Sequence, residues 1–110
     1  MLLAQVALVL TFAGSDATTQ VANPSREPQA VRISLWVALS DTSTPNVLVS
    51  PSIVTLPPGG LQVVRLRARE ACSNAWRFVV FYSPVVSPSA TGVMLRLQTR
   101  IVGKVQCQTP

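Results

Sequence analysis

Short stretches of alternating apolar and polar residues, separated by turns that contain proline, constrain the fold of this chain most strongly. The alternation is clearest in residues 31–39, where the odd-numbered positions are occupied by Val31, Ile33, Leu35 and Val37. A period of two residues is that of a β-strand, because successive side chains point to opposite faces of a sheet. Nine prolines in 110 residues interrupt the chain too often for long helices. The pattern therefore predicts an all-β domain.

The strand-like stretches follow one another at the spacing of an immunoglobulin-like sandwich. They lie at residues 6–12, 18–22, 31–39, 47–50, 53–56, 62–69, 76–83 and 93–105. We predict a single domain over residues 1–110, folded as a seven-stranded antiparallel β-sandwich. Its core is expected to contain Val21, Val31, Ile33, Leu35, Val37, Val64, Leu66, Phe78 and Val80.

Residues 1–13 are apolar and leave two interpretations open. They can form a buried first strand, since Gly14, Ser15 and Asp16 make a favourable turn after them. They can also be a signal segment cleaved at the small residues that follow, although no Lys or Arg precedes Arg26 to supply its basic start. The apolar run is shorter than the roughly 20 residues that a membrane-spanning helix needs, so no membrane span is predicted.

The net charge of +5 permits contact with nucleic acid or with an anionic membrane. The six aromatic residues lie mostly in apolar stretches and are not interleaved with basic clusters, so no nucleic-acid partner is predicted. Arg65, Arg67 and Arg69 share one face of a predicted strand. Two interpretations stay open for them: a solvent-exposed face that keeps the sheet soluble, or a basic stripe that binds a partner.

The side chains that most enzymes need are missing from the sequence. The chain has no histidine, which excludes an imidazole base, a Ser-His-Asp triad and histidine metal ligands. Two cysteines without histidine do not close a structural zinc site. The four carboxylates stand apart from one another along the chain, so no acid–base pair is indicated. The sequence therefore predicts a protein that is not an enzyme and that has no metal or cofactor.

Cys72 and Cys107 lie close to the start and the end of the last two predicted strands. If residues 76–83 and 93–105 form an antiparallel hairpin centred near residue 88, the two cysteines face each other within bridging distance. A disulfide between them implies an oxidising compartment such as the periplasm. The alternative is a pair of free thiols in a reducing cytosol.

Several turn and strand motifs occur in an order typical of one protein family. They are Gly14-Ser15, Val21 to Ser25, Leu35-Trp36-Val37, Ser50-Pro51 through Pro57-Pro58-Gly59, Gln62-x-x-Arg65-Leu66, and Leu95 to Ile101. In this order the chain resembles the N-terminal immunoglobulin-like domain of the PapD-like periplasmic chaperones that assemble bacterial pili. The resemblance covers nearly the whole chain, although each motif alone occurs in many β-proteins.

The resemblance implies a mechanism. In that family the first domain lends its last strand to an incomplete pilin subunit, through backbone hydrogen bonds and alternating apolar side chains. The matching residues here are Val93, Leu95, Leu97 and Ile101. The implied partner is a pilin-like subunit, and the implied location is the periplasm.

The chain also departs from this family. Its members grip a subunit's C-terminal carboxylate with a basic residue on the first strand and a lysine near the end of the last strand. The matching positions are Val9 and Val102, both apolar, and the candidate replacements are Arg100 and Lys104. The second chaperone domain is absent from the 110 residues. Two functions stay open: a divergent or truncated pilus chaperone domain, and a stand-alone PapD-like interaction module of the major-sperm-protein type.

Overall fold

The computed structural model of the chain describes residues 8–85 and 98–108. These residues form eight β-strands and contain no helix. The strands are β1 (Val9–Ala13), β2 (Asp16–Ala22), β3 (Gln29–Trp36), β4 (Val47–Ser50), β5 (Ile53–Leu56), β6 (Leu61–Ala68), β7 (Arg77–Pro84) and β8 (Thr99–Gln108). The all-β prediction is confirmed, with eight strands in place of seven.

The eight strands form one sheet in the order β4-β6-β2-β1-β8-β7-β3-β5. The sheet curls so that its two halves share one core, to which strands of both halves contribute. β4 and β5 are consecutive in sequence, yet they lie at opposite edges of the sheet. The chain crosses between the halves at the cis Ser50–Pro51 peptide bond and Ser52. The result is the immunoglobulin-like sandwich that the sequence predicts.

β1 joins the two halves of the sandwich. It pairs antiparallel with β2 after a turn at Gly14, whose φ of 65° favours glycine. It pairs in parallel with β8. All the other strand pairs are antiparallel in the part of the chain that the structure describes. The prediction of a wholly antiparallel sandwich is therefore wrong at β1–β8, because alternation shows which residues face the core but not the direction of the neighbouring strand.

Eight of the nine predicted core residues are buried, and Val37 is the exception. β3 ends at Trp36, so Val37 leaves the strand and is only half-buried. The prediction omitted Phe12 and Trp76, whose rings pack edge to face in the core with 5.8 Å between their centroids. Phe12 brings the strand that joins the two halves into contact with the start of β7.

Asn23 is fully buried and holds two turns together. Its side-chain amide donates to the carbonyl oxygens of Glu27, Leu56 and Pro57 at 2.8–3.2 Å. Its Oδ1 accepts hydrogen bonds from the backbone N–H and the hydroxyl of Ser25. The turn between β2 and β3 is thereby fixed against the end of β5. A buried polar side chain is stable here because each of its polar atoms has partners.

Cys72 and Cys107 form a disulfide, with 5.9 Å between their Cα atoms. The bond joins the loop that precedes β7 to the end of β8, where Cys107 lies opposite Phe12 of β1. The β7–β8 register places Phe78 opposite Gly103. The predicted hairpin is centred near residue 88, and the observed pairing is displaced from it toward the C-terminus. The two cysteines nevertheless lie within bridging distance.

Candidate strand-binding edge

β8 lies between β7 and β1, and the two pairings cover different parts of the strand. It pairs with β7 from Thr99 to Lys104, and with β1 only from Lys104 to Gln108. The link nearest the start of β8 is the hydrogen bond from the Lys104 N–H to the Leu8 carbonyl, at 2.9 Å. Within the described ranges, residues 99–102 therefore have no strand beside them on the β1 side. We call this stretch the free edge of β8, a name that refers to the described residues alone, and it is the candidate site.

The direction of the backbone groups along this edge follows from the Lys104 hydrogen bond. Backbone N–H groups of alternate residues in a strand point to the same side. Because the Lys104 N–H points towards β1, the N–H groups of Arg100 and Val102 point the same way. No strand of the described part of the chain pairs with these groups, which face the position that an added strand would occupy. The edge therefore offers two donors, with the matching carbonyl acceptors, to an incoming chain.

Gly103 lets the start of β1 come this close to β8. A Cβ atom added at Gly103 would lie 2.6 Å from the Leu8 carbonyl oxygen and 2.8 Å from the Leu8 Cβ. Backbone and side-chain atoms therefore fill the space that any other residue would need. Glycine at this position permits the close contact between Leu8 and β8 next to the free edge.

One apolar side chain accompanies the free edge on the side of the sheet that faces the core. Ile101 shares its parity with the buried Val105 but is 43% exposed, because it lies at the open end of the sandwich. It borders a shallow cleft of about 180 Å³ that Tyr82 also lines. The Tyr82 hydroxyl donates to the Ala22 carbonyl at 2.9 Å. Burial raises the pKa of Tyr82 above its ordinary value, so the phenol stays neutral and the cleft carries no charge there.

The structure does not describe most of the predicted donor residues. Val93, Leu95 and Leu97 lie outside the described ranges, and Ile101 is the only predicted donor residue within them. Ile101 lies in β8 on the free edge, with its side chain half exposed. The described part of this strand begins at Thr99 and continues to Gln108, further toward the C-terminus than the predicted residues 93–105.

The two candidate anion-binding residues lie in different surroundings. Lys104 is opposite Val9 of β1 and opposite Arg77 of β7, so it lies where the three strands meet. The Arg77 guanidinium donates to the backbone carbonyls of the loop before it, at 2.9–3.2 Å. Arg100 instead extends over the Trp36 ring, with 5.2 Å between its Cζ and the ring centroid. Lys104 is therefore the cation beside the strand junction.

The apolar positions that depart from the chaperone pattern are both on the surface. Val9 and Val102 are exposed and flank Lys104, one across the strand pair and the other two residues earlier in β8. A single lysine thus lies between two valines at the place where the pattern has two basic residues. The structure supplies no second cation from β1 in its described part.

The arginines of β6 lie on the solvent-exposed face of the other half of the sheet. Arg67 forms a salt bridge with Asp16 at 3.1 Å between exposed side chains, and Arg65 borders an open groove with Leu48. Their exposure supports the interpretation of a solvated face. Within the described ranges, no helix is long and apolar enough to cross a membrane.

Comparisons with known proteins identify the fold. No family profile and no curated protein sequence matches the chain. Among solved structures, the complex of the Salmonella enterica SafA pilin with the SafB chaperone matches 94% of this chain at 22% identity, with a TM-score of 0.69 over 51% of the matched chain. The Pseudomonas aeruginosa CupB2 chaperone matches 94% of this chain at 16% identity, with a TM-score of 0.67 over 53% of its own length.

A third similar structure comes from another kind of protein. SSP-19 of Caenorhabditis elegans, described as like the MSP-domain family, matches 91% of this chain at 18% identity, with a TM-score of 0.54 over 94% of its own length. The chain therefore has the PapD-like immunoglobulin fold of the pilus chaperones, as the sequence resemblance predicts. It spans about half the length of the chaperone chains that it matches.

Proposed function

We propose that this chain is a chaperone-type binding domain, which caps an incomplete immunoglobulin-like subunit by lending it the strand that contains the free edge of β8. The observation that supports this proposal most directly is the free edge itself. Residues 99–102 are paired with β7 on one side, and no strand within the described ranges pairs with them on the other. An exposed backbone edge of this kind binds an added strand through main-chain hydrogen bonds.

Side chains next to the edge would provide specificity. Ile101 presents an exposed apolar side chain beside the cleft under Tyr82. Val93, Leu95 and Leu97 have the same parity as Ile101. If the strand continues in the N-terminal direction, all four side chains lie on one face and enter alternate positions of a partner's groove. This arrangement matches the donor residues that the sequence resemblance implies.

Lys104 is the better candidate for the contact with a subunit's terminal carboxylate. It lies beside Val9, at the end of the free edge and at the junction of three strands. Arg100 is directed towards Trp36. The choice rests on position: from the strand junction the three donors of the lysine ammonium can reach a carboxylate that approaches along the strand. We therefore assign the anion contact to Lys104 and not to Arg100.

The setting of the proposed function is the bacterial periplasm. The complex of a pilin with a chaperone among the similar structures supports a pilin-like subunit as the partner. The disulfide between Cys72 and Cys107 favours an oxidising compartment. The proposed activity consists of binding and involves no catalysis.

A stand-alone interaction module is the second candidate function. SSP-19 is matched over nearly its full length, so this fold also occurs as a protein of about one domain. In that case the sandwich would bind its partner without a second domain. A gene for a pilin and a gene for an outer-membrane usher beside the gene of this protein would favour the chaperone function.

Replacing Leu95 and Leu97 together by Asp tests strand lending. We expect the double variant to lose capture of the pilin subunit encoded in the same genome by more than about tenfold, because charges cannot enter an apolar groove. Its melting temperature should stay close to that of the unchanged chain. Co-purification from the periplasm and thermal unfolding by circular dichroism measure the two properties.

A matched control uses two exposed leucines on the other half of the sheet. Leu48→Asp with Leu61→Asp introduces the same charges at side chains that are exposed on β4 and β6. The control should capture the subunit normally. Unfolding of the Leu95 and Leu97 variant would show that these leucines belong to the core, and equal losses in both variants would refute strand lending at this site.

A further inference from the structure

The outer face of β3, β7 and β8 carries two arginines whose guanidinium groups lie over aromatic rings. The Arg32 Cζ lies 4.4 Å from the centroid of the Phe81 ring, and the Arg100 Cζ lies 5.2 Å from that of Trp36. The two rings are themselves in contact at 6.5 Å. We call these four side chains the arginine–aromatic face. The register places Arg32 and Arg100 on opposite sides of Phe81, one on each neighbouring strand.

This face is packed although it points away from the core. Trp36 is 8% exposed and Val79 is fully buried, although the core residues of these strands lie on the opposite face of the sheet. Val79 lies on β7 between Phe81 and Arg77, and its side chain points to the same face as theirs. A surface of tryptophan, phenylalanine and arginine with a buried aliphatic centre has the composition of an interface hot spot.

The charge of the face is not balanced by carboxylates. Arg32 and Arg100 are its two cations, and Arg77 and Lys104 lie beside it in the register row of Trp36. The chain has four carboxylates, and none lies on β3, β7 or β8. Asp16 pairs with Arg67, Asp41 accepts hydrogen bonds from Ser43, Glu70 accepts one from the Asn46 N–H, and Glu27 lies in the loop between β2 and β3.

The position of the arginines over the rings directs what they can bind. A guanidinium held over an aromatic ring is partly ordered before binding, and its fork of N–H groups matches a carboxylate. The rings are covered by the guanidinium groups and by each other, so they are not free to stack on nucleic-acid bases. A protein segment that carries Asp or Glu beside apolar residues therefore fits this face better than a nucleic acid does.

We infer that the arginine–aromatic face is a second binding surface, whose partner is an acidic protein segment. The face and the free edge of β8 would be approached from different directions. A strand bound at the edge would lie in the plane of the sheet, whereas a segment bound at this face would lie on top of the sheet. The inference does not depend on the proposed strand lending, because its residues and contacts lie on the outer surface of three paired strands.

Binding of two labelled probes by the 110-residue chain tests this inference. The probes are a synthetic peptide of alternating glutamate and leucine and a single-stranded DNA oligonucleotide of the same net charge, at physiological ionic strength. We expect the Arg32→Gln, Arg100→Gln double variant to bind the peptide at least about tenfold more weakly, because bidentate contacts to arginine are lost. The control, Arg65→Gln with Arg69→Gln, has the same net charge and should change affinity by less than about twofold.

Two further measurements keep the result interpretable. The Arg32→Lys, Arg100→Lys variant keeps the charge but loses the planar fork of donors, so it should also bind more weakly than the unchanged chain. In an NMR titration the indole N–H signal of Trp36 should shift while that of the buried Trp76 stays in place. Equal losses in the two Gln variants, tighter binding of the DNA, or no binding of the peptide would overturn the inference. An Ile101→Asp change should leave peptide binding intact, which separates this surface from the free edge.

Discussion

Replacing Cys72 and Cys107 together by Ala is expected to lower the free energy of unfolding by about 3–4 kcal/mol. The disulfide closes a loop of 35 residues. This loop restricts the conformational freedom of the unfolded chain, and removing the bond restores that freedom. Both side chains are only half-buried, so the loss of packing adds little. Urea unfolding of the double variant and of the unchanged chain measures the difference.

Reduction of the unchanged chain provides the control for this prediction. Dithiothreitol should destabilise it by a similar amount and should have no effect on the Ala variant. Mass spectrometry after alkylation, on protein from its native compartment, checks that the bond forms there. Two alkylated thiols, or a difference in stability below about 1 kcal/mol, would contradict the prediction.

Replacing Asn23 by Ala is expected to cost about 3 kcal/mol of stability. The change leaves the buried Leu56 carbonyl at the end of β5 without its amide donor, and an unsatisfied buried group costs about 1–3 kcal/mol. The part-buried Pro57 carbonyl loses the same donor but keeps the Gly60 N–H. The turn between β2 and β3 also loses the acceptor that organises Ser25. Urea unfolding again measures the loss.

Ser25→Ala is the matched control for Asn23. It removes the hydroxyl that lies within hydrogen-bond distance of both the Asn23 Oδ1 and the Glu27 carbonyl, but it leaves the amide contacts to β5 in place. It should cost about 1 kcal/mol. An Asn23→Ala variant that is no less stable than this control would show that the buried amide does not hold the two turns together.

Much of the fold can be predicted from the sequence because burial on one face imposes a period of two. In β6 the alternation of Val64 and Leu66 with Arg65 and Arg67 predicts both the strand and its orientation, and the structure confirms both. The same pattern places Val31, Ile33 and Leu35 in the core of β3. These are local properties of single strands.

What the sequence did not show depends on contacts between distant strands. Alternation assigns Trp36 to the face opposite the core, yet Trp36 is buried because Phe81 and Arg100 of other strands cover it. The parallel pairing of β1 with β8, which in the described residues starts near Leu8, sets the free edge. Neither follows from a period within one strand. The arginine–aromatic face was missed for the same reason.

The exchange rates of individual backbone amides in β8 test the central proposal most directly. In the isolated domain the N–H groups of Arg100 and Val102 should exchange quickly, because they point towards the free edge. Those of Ile101 and Gly103 should exchange slowly, because they point towards β7. When the pilin subunit is bound, exchange of the Arg100 and Val102 amides should slow by more than about tenfold. Binding of the subunit with unchanged exchange at these two amides would contradict the proposal that this domain lends the strand.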